Sequence, residues 1–317
     1  MMRSTERRKA NSPLLAGLYS TAKRYAVGIA AAVSLLSAAG SAQIADNSLP
    51  LSVFRKNVGV VSHTSFKNIV HLAGSSAAMP VAGDFDADGL MDTGLFDPVS
   101  RVWTVRKSSD GSTLAASFAA AGRKAGLAVE PVPADFDGDG RTDMGIWCAG
   151  AWQIIPSSKS GAAETMSFGT KGDIPVPADF DGDAKADLAV FRPSENRWYI
   201  RSSETGLVAV ADLGTAGDML IPADYTGDGK ADVSVYRSGV WHLLNSDTGV
   251  VETFEFGFED GLPAAGDFNR DGEIDFAVYR KGTWFVYDGT KLASYKFGDD
   301  DDVPLSMVPV RASTAGL

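Results

Sequence analysis

Five nine-residue segments of this chain place oxygen-bearing side chains at the same four positions. They read DFDADGLMD from Asp84 to Asp92, DFDGDGRTD from Asp135 to Asp143, DFDGDAKAD from Asp179 to Asp187, DYTGDGKAD from Asp224 to Asp232 and DFNRDGEID from Asp267 to Asp275. Counted from the first Asp, positions 1, 3, 5 and 9 carry the oxygens and position 2 is aromatic. Oxygens alternating along a tight turn converge on one point, and Ca²⁺ takes six to eight of them in such a flexible cage. Mg²⁺ suits the pattern less, because it demands octahedral geometry and keeps its waters. Three or four carboxylates within about 5 Å of one another resist joint ionisation unless a cation neutralises them.

The side chains expected to hold the ion are Asp84, Asp86, Asp88 and Asp92, then Asp135, Asp137, Asp139 and Asp143, then Asp179, Asp181, Asp183 and Asp187. In the last two loops Thr226 and Asn269 stand at position 3, beside Asp224, Asp228 and Asp232, and beside Asp267, Asp271 and Asp275. The position 7 carbonyl adds a fifth oxygen, from Leu90, Arg141, Lys185, Lys230 and Glu273. Up to five Ca²⁺ are therefore expected. Position 6 is glycine except at Ala184, which is strained if that position needs a positive φ. The loop is not an EF-hand, being shorter, lacking a glutamate at position 12 and running into strand-like sequence. Aspartate and glycine also make good turns through side-chain to backbone hydrogen bonds, but five copies in register outweigh that reading.

The loop starts lie 51, 44, 45 and 43 residues apart. A period of this length signals stacked supersecondary units. After the third loop the chain reads Leu188–Arg192, a turn, Arg197–Arg201, a second turn, then Leu207–Leu213, a bend and Leu220–Ala223. Four short β-rich runs per unit predict an all-β fold, with each unit a four-stranded blade of a β-propeller. Residues 51–83 look like a further copy without its loop, since LSVFR at Leu51–Arg55 parallels LAVFR at Leu188–Arg192. The units are 51–83, 84–134, 135–178, 179–223, 224–266 and 267–308, giving six blades, with seven as the alternative. Val303–Val308 repeats the run that precedes each loop, so joining the last unit to the first would remove exposed sheet edges.

Residues 1–42 read as a secretory signal, with Arg3, Arg7, Arg8, Lys9, Lys23 and Arg24 before an apolar stretch from Ala26 to Gly40. That stretch, at about 15 residues, is short for a membrane span of about 20, so no span is expected in the mature chain. Residues 43–50 form a short leader, 51–310 the propeller and 311–317 a tail. Without residues 1–42 the chain carries 23 basic and 39 acidic side chains, and 18 of the latter sit at the loops' ligand positions. An acidic surface excludes nucleic acid as the natural partner, because phosphate binding needs clustered Lys and Arg. The lone Cys148 cannot form an internal disulfide and reads as a buried, inert thiol.

The runs DFDGDGRTDMGIW, DFDGDAKADLAVFRPSENRWY and DYTGDGKADVSVYRSGVW resemble FG-GAP/VCBS repeats, the family that includes the integrin α-subunit propeller. The resemblance spans about residues 49–310 and implies calcium loops that stiffen a ring serving adhesion or carbohydrate binding. Trp103, Trp152, Trp198, Trp241 and Trp284 recur at one register, and Arg192, Arg237 and Arg280, with Arg55, at another. Trp198 with Arg192, Trp241 with Arg237 and Trp284 with Arg280 would then be sugar sites between blades, as in the six-bladed fucose-binding lectins this architecture is similar to. Plain packing of the tryptophans and salt bridges from the arginines are the competing readings. Only three histidines occur, His63, His71 and His242, and no nucleophile motif flanks them. The expectation is a secreted or surface-held, non-catalytic module for an extracellular glycan or surface protein, with a lectin and a polysaccharide-active enzyme as alternatives.

Overall fold

The computed structural model describes residues 43–44, 51–56, 59–64, 69–118, 127–159, 163–306 and 311–312. The proposed signal, most of the leader and most of the tail lie outside these residues. The described chain folds into six antiparallel blades, with no helix among the described residues. Accordingly, no helix among the described residues is long and apolar enough to cross a membrane.

Four strands in chain order make each of the middle blades. Blade 2 comprises Met79–Gly83, Asp92–Asp97, Val102–Arg106 and Thr113–Ser117. Blade 3 comprises Glu130–Pro131, Met144–Cys148, Ala151–Ile155 and Glu164–Ser167. Blade 4 comprises Ile174–Pro175, Leu188–Arg192, Arg197–Arg201 and Val208–Ala211. In blade 5 the strands Met219–Leu220, Val233–Arg237, Val240–Leu244 and Val251–Glu255 are joined by Arg311–Ala312. In blade 6 Leu262–Gly266, Asp275–Arg280, Thr283–Tyr287 and Leu292–Lys296 receive Gln43–Ile44 as a parallel outer strand. Blade 1 is Ser52–Arg55, Val60–Thr64 and Ile69–Ala73, and its first strand, Val303–Leu305, comes from the far end of the chain.

The sheets are offset from the sequence units by one strand. Gly83 pairs with Asp92 across the first loop, because the loop is a turn between antiparallel neighbours and not a link between blades. Met79–Gly83 therefore opens the second blade, and Val303–Leu305 opens the first. Boundaries drawn at the loop starts move back accordingly.

Six hydrophobic clusters each fill the space between two neighbouring blades. The last of them sets Trp284 and Tyr279 of blade 6 beside Leu51 and Val53 of blade 1, so the ring is closed by packing as well as by pairing. The five recurring tryptophans have no exposed surface, as expected of side chains that each bury 150–250 Å². Against each sits the position 2 aromatic of its own blade's loop. Phe85 meets Trp103 at 6.1 Å, Phe136 meets Trp152 at 6.2 Å, Phe180 meets Trp198 at 6.4 Å, and Tyr225 and Phe268 meet Trp241 and Trp284 at 5.9 Å. The edge-to-face contacts fasten every acidic loop to the core beneath it.

Candidate metal centres

Antiparallel order sends the turn after the first strand and the turn after the third to the same end of each blade. The acidic loop is the former and meets the latter there. Its first Asp holds the loop together from inside. Asp135 accepts the amides of Gly138 at 2.7 Å and Gly140 at 2.8 Å, and Asp179 accepts those of Gly182 and Ala184 at 2.6 and 2.8 Å. Asp224 and Asp267 accept the corresponding amides of their loops, and Asp84 accepts that of Gly89 together with the amides of Asp86 and Asp88.

The ninth residue is the buried one. Asp92, Asp143, Asp187 and Asp232 have no exposed surface and Asp275 is 1% exposed. One oxygen of each accepts the position 2 amide at 2.9–3.0 Å. In the first four loops the other oxygen accepts a serine amide from the facing turn, Ser108, Ser157, Ser203 or Ser246, at 2.6–2.8 Å. Blade 6 has no such serine, and there the second oxygen of Asp275 is buried without a partner. Burial pushes the carboxyls of Asp92, Asp143 and Asp187 up to about 6, and that of Asp275 up to about 7. Asp232 is shifted upward by the same cause. Neighbouring loop carboxylates add to the rise at Asp143 and Asp187, and the accepted amides oppose it.

Three carboxylates, not four, converge in the first three loops. Asp84, Asp86 and Asp92 each bring an oxygen within 4.8 Å of the others, as do Asp135, Asp137 and Asp143, and Asp179, Asp181 and Asp187. The position 5 residues expected to join them are turned elsewhere. Asp88, Asp139 and Asp183 accept the position 7 amide at 2.8–2.9 Å and a serine hydroxyl of the facing turn at 2.7–2.8 Å. The same position 7 residues thus serve through their amides, at Leu90, Arg141 and Lys185, and again at Lys230 and Glu273 toward Asp228 and Asp271. Loops four and five bring no such trio together among the described residues. Thr226 hydroxyl lies 3.4 Å from Asp232, and Asn269 side-chain nitrogen donates to Asp271 at 3.0 Å.

The donor set of the first three loops fits a hard divalent cation. An Asp86 oxygen is buried without any hydrogen-bond partner, and three clustered carboxylate oxygens want a positive charge among them. The facing serine pair escaped the sequence reading. Ser108-Ser109, Ser157-Ser158 and Ser202-Ser203 recur 22–25 residues after their loop starts, and that register was the available signal.

The opposite end of the blades settles the arginines. Arg192 grips Asp173 with two bonds of 2.8 and 2.9 Å, and Arg237 grips Asp218 with two of 2.6 and 2.5 Å. Arg55 pairs with Asp302 at 3.0 and 3.2 Å and also meets Asp299, and Arg280 pairs with Asp260 at 2.6 Å. Each acidic partner lies in the bend that delivers the chain into that blade. At the equivalent position of blade 2, Asp97 accepts the Ser75 hydroxyl at 2.8 Å. The proposed sugar sites are therefore corrected. Trp198, Trp241 and Trp284 expose no ring face, and Arg192, Arg237 and Arg280 are held by carboxylates. Packing and salt bridging account for both sets. Cys148 is a half-buried free thiol.

Residues 179–235 match the family model of the FG-GAP-like repeat, a stretch that holds the third and fourth loops. That segment is a repeat of this type. Among solved structures, TolB from Acinetobacter baumannii superposes with a TM-score of 0.54 at 14% identity, covering 83% of this chain and 67% of that one. A catalytically inactive virginiamycin B lyase from Staphylococcus aureus with quinupristin gives 0.50 at 11%, covering 80% of this chain and 86% of that one. An Agrocybe aegerita lectin that recognises non-reducing terminal N-acetylglucosamine gives 0.49 at 15%, covering 86% and 91%. At these identities the likeness to the first two is one of fold. No curated protein matches the sequence.

Proposed function

We propose that the protein is a secreted, non-catalytic binding module whose propeller is stiffened by Ca²⁺ held in its acidic loops. The reading is supported above all by the three carboxylate trios, each built on an aspartate with no exposed surface. A bound Ca²⁺ offsets two of the trio's three charges and ties the first-to-second-strand turn of a blade to the rest of its sheet. Successive loops are also joined directly. The amides of Thr142, Ala186 and Ala231 donate at 2.6 Å to the carbonyls of Asp84, Asp135 and Asp179 in the preceding blade. Stiffening one loop thus bears on the next.

Extracellular modules commonly bind calcium at about 10⁻⁴–10⁻³ M, which accords with a chain read as exported from its first 42 residues. The partner is an extracellular glycan or surface protein. The test is thermal unfolding with and without calcium. Saturating Ca²⁺ should raise the melting temperature and excess EDTA should lower it again, since a ligand held only by the folded state stabilises it by mass action. Coincident melting curves would set the proposal aside.

A further inference from the structure

Between blades 2 and 3, on the loop-bearing end, lies a cavity of about 330 Å³, within the size range of small-molecule sites. Its charge runs against that of the chain, whose net value is −11. Lys107 enters from the end of the third strand of blade 2, and Arg141 and Lys159 enter from two turns of blade 3. Lys159 is paired with Glu164 at 2.8 Å, whereas neither Lys107 nor Arg141 has an ion-pair partner among the described residues. The floor is aliphatic, made by half-buried Leu114, Ala116 and Ile155 with buried Met144. Asp86, whose inner oxygen has no partner, stands at the rim.

We infer that this groove binds a small organic oxyanion with an aliphatic body, and that it does so only when the neighbouring loops hold calcium. The two unpaired cations offer charge-assisted hydrogen bonds to a carboxylate or sulfate head. Leu114, Ala116, Met144 and Ile155 remove the chain from water. The aliphatic floor favours an alkyl body over a sugar ring. Without an ion, Asp86 and its loop partners repel an approaching anion. With a divalent ion bound, two of the trio's three charges are offset, the repulsion is weakened and Lys107 and Arg141 dominate at the groove. Calcium and the anion are then coupled, and each must tighten the other by the same factor. The calcium dependence rests on the proposed function; the anion site itself does not.

The test is calorimetric titration of the full folded chain with decanoate and with decyl sulfate below micelle formation, in excess Ca²⁺ and in EDTA. Decanol and inorganic phosphate serve as the charge-free and chain-free probes. Both amphiphilic anions should bind in calcium, at least about tenfold more tightly than in EDTA and than either control. Lys107→Glu should weaken the binding by about tenfold or more, and Ala116→Phe, which fills the floor, should abolish it. The calcium-induced rise in melting temperature should persist in Lys107→Glu. Absence of binding in a protein whose melting still responds to calcium overturns the groove and leaves the proposed function standing. Binding unchanged by both substitutions overturns it too. Binding that is the same in EDTA refutes the coupling, and a melting curve indifferent to calcium refutes the proposed function independently.

Discussion

The loop residues divide their labour in a way that their chemistry explains. Position 1 organises the backbone, position 9 buries a charge, position 3 completes the trio and position 5 ties the loop to the facing turn. Positions 4 and 6 must adopt positive φ in every loop, and glycine is absent at Ala87 with φ 61°, Ala184 with φ 66° and Arg270 with φ 66°. The strain foreseen at Ala184 is thus present, whereas the second left-handed position was not legible because alanine and arginine occupy it twice. Ala184→Gly should raise stability by roughly 0.5–1 kcal/mol, the left-handed penalty less the added freedom of the unfolded chain. A urea titration reads this directly. Asp143→Asn should remove the calcium response of its loop, seen as a smaller melting shift on adding Ca²⁺. A pH dependence also follows. The buried carboxyls ionise near pH 6–7 when folded, against about 4 when unfolded. The folded state therefore binds more protons between these values, and that stability is lost as pH rises. In EDTA the melting temperature should climb as pH falls from 7.5 to 5.5, and calcium should add most at the upper end.

At the scale of the strand and turn, most of the plan was written in the sequence. The four β runs per unit, the aromatic at position 2 and the apolar second strand all follow from a loop that must sit on a packed sheet. What stayed hidden was pairing over distance. A turn-like loop does not announce whether its flanking strands belong to one sheet or two, and the one-strand offset came from that ambiguity. The tryptophans misled for a similar reason. A ring of aromatics at one register suits stacking on sugar as well as stacking on a neighbour, and only burial decides. Trp198→Ala should therefore destabilise by about 3–5 kcal/mol, where a surface platform would cost almost nothing, and chemical denaturation distinguishes the two. The arginines form a second set of fastenings. The Asp173 side chain is 2% exposed against 23% for Arg192, so Arg192→Ala leaves a buried carboxylate without its partner. It should cost about 1–3 kcal/mol.

Across the whole molecule, two ends of the ring are specialised. One carries the acidic loops, linked blade to blade by amide–carbonyl bonds, and the other carries arginine–aspartate clasps at the entry to four of the six blades. The ring is fastened by Val303–Leu305 against Ser52–Arg55 and by Arg55 on Asp302, the latter a contact between residues 247 positions apart. Closure of this kind gives Ser52–Arg55 a partner on its inner side, where it would otherwise be an open edge. Deleting residues 299–317 should convert one cooperative unfolding transition into a broader one at lower temperature, visible by calorimetry.

The central claim is that buried aspartates repeated in step with the blades are held charged by calcium. Calorimetric titration of Ca²⁺ into metal-stripped protein tests it most directly. The account predicts saturable binding at three or more sites, one for each carboxylate trio, with one site lost in Asp187→Asn. A titration without binding heat, from folded protein, would contradict it.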